Sequence, residues 1–183
     1  MFDSRDMEEA ALYFLYMMAD GEISDGEMKL FDEICKNMDL SEEDKENIAD
    51  KCKKRAENNP DILKMIQEEK IEEQVGERYY YGADKGKRGR IIWNLVNLGY
   101  ADSYYSKEEK TIVKYFVENW SVDSGVYREF KDIADTILAL TKQKAWIVST
   151  FPAEEREEKV LKIDHEIEEL LDDAKLTIRE YAD

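Results

Sequence analysis

"MMADGEISDGEMKLFDEICKNMDLS", Met17 to Ser41, lies without a gap over "GYADSYYSKEEKTIVKYFVENWSVD", Gly99 to Asp123, when the chain is slid against itself by 82 positions. Ala19 meets Ala101, Asp20 meets Asp102, Ser24 meets Ser106, Glu27 meets Glu109 and Asn37 meets Asn119. The apolar pattern repeats as well: Leu30, Ile34 and Met38 fall on Ile112, Phe116 and Trp120, Leu40 on Val122, and Ile48 on Phe130. Three- and four-residue spacings of this kind put one buried stripe on each helix, so the same buried face is written twice.

Working outward, each unit reads as helix, short acidic loop, helix, brief break, helix. The expected helices are 5–19, 24–38 and 41–57 in the first unit and 88–100, 106–120 and 123–147 in the second. Ser24 with Glu27, and Ser106 with Glu109, are S-x-x-E capping boxes, in which the hydroxyl accepts from an orphan amide and the carboxylate reaches back to the cap's own amide. Ser41 and Asp123 are placed to cap the third helices.

Between the units, Asn59 reads as an N-cap with Pro60 at the first helical position, predicting one further helix to about residue 73. "VGERYYYGADKGKRGR", residues 75–90, breaks the periodicity and reads as a linker. Its Lys85, Lys87, Arg88 and Arg90 are taken as a solvated basic stretch, with docking to an acidic partner or to the protein's own acidic C-terminal helix as the alternative. Tyr79, Tyr80, Tyr81, Tyr100, Tyr104 and Tyr105 are expected to pack the junction between units rather than form an exposed interface.

After Pro152 one long helix is predicted. Val160, Ile163, Ile167, Leu170, Ala174 and Tyr181 form its apolar seam, interrupted by Thr177. Packing on the chain's own helices is the preferred reading of that seam, and a homodimer through this helix the alternative. The expected organisation is therefore all-α: a first repeat over 1–75, a linker over 76–87, a second repeat over 88–150 and a C-terminal helix over 151–183 laid across both.

With 44 Asp and Glu against 27 Lys and Arg, the formal charge is −17 at pH 7, which disfavours nucleic acid and anionic membranes as partners. No window approaches the ~20 apolar residues of a membrane span, and the start carries no basic segment leading into a long apolar run, so a cytoplasmic location is expected. Cys35 and Cys52 fall opposite Val117 and Ala134 in the repeat register, which marks them as core thiols. His165, the one histidine, sits in an acidic helix with no second ligand-type side chain near it in sequence, and reads as solvated. No phosphate-loop, dinucleotide-loop or nucleophile-elbow motif occurs, so no enzyme is predicted; the remaining route to one is a carboxylate cluster in a groove between the repeats.

The loop "ADGEISDGE" also admits a cation reading, with Asp20, Glu22, Asp25 and Glu27 as candidate ligands for calcium or another divalent ion. A hard dication wants six or more oxygens, and the positions that would open such a loop hold Tyr16 and Met18. Helix capping is therefore preferred, and no cofactor is expected.

"ADGEIS" followed by Glu27, set between two apolar helices, resembles the signature of TerB-like domains, a tellurite-resistance family whose fold also occurs in DjlA-type co-chaperones. The first unit matches at Ala19, Asp20, Gly21, Ile23, Ser24 and Glu27; the second keeps Ala101, Asp102, Ser106 and Glu109 and lacks the Gly and Ile. The resemblance implies two tandem helical copies, an all-α fold and acidic loops suspected of metal binding. The function it suggests is a non-enzymatic interaction or adaptor module with a protein partner, against a weak cation-binding or stress-sensing domain as the alternative.

Overall fold

The computed structural model describes residues 4–75, 85–101 and 105–183. Among them the chain is helical without strands: α1 (Arg5–Met17), α2 (Asp25–Asn37), α3 (Glu42–Asn58), α4 (Ile62–Glu68), α5 (Ile71–Val75), α6 (Lys85–Gly99), α7 (Lys107–Asn119), α8 (Ser124–Thr150) and α9 (Ala153–Ala182).

The 82-residue register is visible in the backbone. The last residues of α1 and α6, both ends of α2 and α7, and the first residues of α3 and α8 all coincide under that shift. Asp39 and Ser121, also equivalent, both take left-handed backbone angles, φ 56° and 53°, in the break before the third helix. Ser24, Ser41 and Ser106 each close a capping box, and Asp123 accepts from the amides of Gly125 (2.7 Å) and Val126 (3.4 Å). These contacts satisfy orphan donors and fix where each helix begins.

The core is organised about α1. From Glu9 to Met17 every residue is buried, because α1 is enclosed by α2 and α3 of its own unit, by α5 and by α6. In the second unit α6 takes the equivalent place, between α7, α8 and α9. Ile48 and Phe130, equivalent in register, are both fully buried, as are Cys35 and Cys52; burial pushes both thiols up to about 12, which keeps them protonated core groups. Leu30 is half-buried while its counterpart Ile112 is buried, so the repeated stripe is covered more completely in the second unit.

Three elements differ from the sequence expectation. The helix expected over 60–73 is two helices, because Lys70 turns left-handed at φ 51°. Ile66 and Ile71 are five residues apart, so on one continuous helix they would point about 140° away from each other. The turn lets both face the core, where Ile66 is 0% and Ile71 5% exposed. Asn59 ends α3, and Asp61 caps α4 by accepting from the Lys64 amide at 3.0 Å.

The basic stretch is the second difference. Lys85 to Arg90 are helical, within α6, rather than a solvated linker, while residues 76–84, including Tyr79, Tyr80 and Tyr81, lie outside the described residues. This stretch does meet the C-terminal helix: Lys85 lies over the Tyr181 ring and Gly89 abuts the same ring.

The third difference is the reach of α9. It runs back along α8 as an antiparallel hairpin, and only its part from Leu170 onward packs on the core, through Leu170, Leu171, Ala174, Ile178 and Tyr181. No apolar side chain between residues 138 and 169 packs on that core. The distal hairpin is sealed by its own contacts, with Ile147 and Ile163 buried, Lys144 paired to Asp164, and the rings of Trp146 and Phe151 edge to face at 5.6 Å. Thr177, the interruption in the apolar seam, is buried with its hydroxyl 2.9 Å from the Glu129 carboxylate and 3.0 Å from the Asp173 carbonyl. Its polar atom is thus satisfied.

Candidate functional site

The first acidic loop leaves α1 through Met18 and turns at Gly21, whose φ of 92° is a region that side chains with a Cβ rarely adopt. Asp20 braces the turn by accepting from the Glu22 amide at 3.1 Å. Ser24 then accepts from the Glu27 amide at 3.1 Å and donates its own amide to the Glu27 carboxylate at 2.8 Å. The second unit repeats both distances at Ser106 and Glu109.

Of the four candidate ligands, Asp20, Glu22 and Asp25 are exposed, and Glu27 alone turns inward, at 3% exposure. Among the described residues no three His, Cys, Asp or Glu side chains stand close enough together to hold a metal ion. The structure instead brings Glu27 towards Glu109, which is equally buried and belongs to the other unit. That convergence was missed in the sequence, although two capping glutamates in equivalent register were its signal. Asp102, Ser103 and Tyr104 lie outside the described residues.

Burial raises the Glu109 carboxyl to about 7, against the lowering pull of its hydrogen bonds from Ser106; the nearby charges of Glu27 and Asp20 raise it further. The folded state therefore holds a proton that the unfolded chain releases near 4.5. Stability should fall as pH rises from about 4.5 to about 7 and level off above, by about 1–2 kcal/mol after allowance for residual solvation. Denaturant titrations at several pH values check this, and Glu109→Gln, which still caps the helix, should flatten the profile.

Above the two glutamates sit Tyr16 and Tyr105, both buried, with neither hydroxyl in hydrogen-bond geometry with a described residue. Burial raises both phenols, with Tyr105 and Tyr16 acting on one another as neighbours. Tyr105 meets Tyr100 of its own unit at 4.9 Å, the rings tilted by 49°, and neighbours Tyr16 of the first unit.

A second polar cluster joins the units two turns earlier on the same face of α1. Glu9, 1% exposed, accepts from the Tyr13 hydroxyl at 2.7 Å and from Arg90 at 3.0 and 3.2 Å, while the Lys87 ammonium stands 3.8 Å away. Asn94 donates to the Tyr13 oxygen at 3.0 Å. His165, by contrast, is exposed on α9 and faces Glu169 at 3.5 Å, within reach of no thiol or second histidine.

An all-α domain of two register-matched helical units with acidic inter-helix loops is the class of protein that this geometry defines. The family profile described as "Tellurite resistance protein TerB" matches residues 7–132, running through both units in a single match. The chain belongs to the TerB family, which is generally not catalytic. No curated protein and no solved structure gave a significant match. Among the described residues no helix is long and apolar enough to cross a membrane.

Proposed function

We propose that this protein is a non-enzymatic interaction module in which the TerB region is the platform and the distal α8–α9 hairpin is the docking element. The observation that carries this reading is the hairpin's surface. It begins just beyond the TerB match, projects about 20 Å past the core at 1.5 Å per residue, and exposes Trp146 (57%), Val148 (44%) and Leu161 (69%).

Its two helices carry opposite charge. Residues 136–153 hold no acid and two lysines, Lys142 and Lys144, in a chain that is otherwise acid-rich; residues 153–169 hold eight acids against three bases. The best fit to one copy's acid-free α8 face is the acidic α9 face of another, and a two-fold axis makes that pairing twice. Self-association into a four-helix arrangement is therefore the interaction to test first. Sedimentation equilibrium should give a salt-sensitive dimer, and Lys142→Glu with Trp146→Ala should weaken it about tenfold. A monomer at every concentration and salt would refute this docking mode.

The repeats themselves, read as 1–75 and 88–150, are interpreted as diverged copies of one three-helix block, a reading supported by their coincident helix ends. A cation-sensing role has less support, because Glu27 already accepts from the Ser24 amide and Glu22 and Asp25 face solvent.

A further inference from the structure

A cavity of about 730 Å³ opens between α2, α6 and α9, with Glu9 of α1 at its base. Four cations line it, Lys87 and Arg90 from α6 and Lys175 and Arg179 from α9, and among the described residues that line it Glu9 is the one acid. In a chain with far more acids than bases, that lining reverses the prevailing charge.

Two further observations point to what it would hold. Arg90 reaches Glu9 through one terminal nitrogen, Nη2, and remains half exposed, while Lys175 pairs with the exposed Asp172 of its own helix. Finally, Ile34, Trp93 and Ile178 give the cavity an apolar wall, and Asn37 and Asn94 supply amide groups. Trp93, 8% exposed and packed on Phe130, is the aromatic part of that wall.

We infer that this cleft binds a small organic phosphate carrying several negative charges and an apolar or aromatic body. The size of the ligand follows from electrostatics. A net charge of −17 repels long polyanions and anionic surfaces, whose charges extend beyond the cleft, but a Debye length of about 8 Å lets the local cations dominate for a ligand that fits inside it. Guanidinium groups from two helices, Arg90 and Arg179, match phosphate oxygens through paired donors.

The test uses adenosine triphosphate and inorganic triphosphate as probes on the full chain, followed by calorimetry and by amide and indole NMR shifts. Binding should weaken with salt, shift the Trp93 indole, and be stronger for the nucleotide than for inorganic triphosphate. Lys175→Gln with Arg179→Gln removes two side chains from the rim of the cleft, so circular dichroism should be unchanged while affinity falls at least tenfold. No heat and no shift at millimolar probe overturns the proposal. So do shifts confined to Lys142 and Lys144 on the hairpin, affinity unaltered by the double substitution, or binding of an oligoglutamate peptide in preference to both phosphates. Because the cleft and the substituted residues lie away from the distal hairpin, failure here leaves the self-association result standing.

Discussion

Glu9→Ala is expected to destabilise the fold by about 3 kcal/mol, read as a lower denaturant midpoint at unchanged slope. The carboxylate lies inside the core and satisfies the Tyr13 hydroxyl, Arg90 and, at longer range, Lys87. Removing it leaves a phenol without its acceptor and two cations facing each other at the entry to α6. Arg90 is half exposed and can turn to water, which keeps the loss below that of a fully enclosed pair. Glu9→Gln should lose less, because an amide oxygen still accepts from Tyr13. If alanine proves as stable as the native chain, the network contributes geometry but no stability.

Gly99→Val should be about as damaging, at about 3 kcal/mol, through overpacking rather than lost charge. A Cβ at Gly99 would stand 2.5 Å from the Tyr16 oxygen and 2.6 Å from two ring carbons of Tyr105. Real side chains do not approach so closely, and both rings are buried among neighbours that leave them little room to move. Gly99→Ala should cost less, and pairing it with Tyr16→Phe should recover part of the loss, since that change removes both the clashing oxygen and a buried hydroxyl without a described partner. Thermal unfolding of the native chain, the three single variants and the double variant checks the order; additive losses from Gly99→Ala and Tyr16→Phe would rule out the contact as the cause.

Much of this architecture was legible in the sequence because its signals are local. A capping residue fixes a helix start wherever it occurs, so the second and third helices of each unit start within one residue of the expected positions. The buried thiols were legible for a related reason: an apolar residue in one copy identifies the environment of its counterpart in the other. What escaped were features set by meetings between distant segments. The approach of Glu27 to Glu109 depends on how the units face one another, and nothing in either loop encodes it. The basic residues 85–90 looked like linker because their partners, Glu9 and Tyr181, lie at opposite ends of the chain. Likewise the apolar seam of α9 specified that the helix packs, but not that its first half would have only α8 to pack against.

The enclosure of α1 also bears on the order in which this protein acquires its structure. Helix α1 is wrapped partly by α6, a segment synthesised some 80 positions later. Loop closure over such a separation is slow compared with helix formation, so the nascent amino-terminal half must wait with part of its greasiest surface uncovered. The two halves are thus interdependent in time as well as in space: neither is finished until the other arrives.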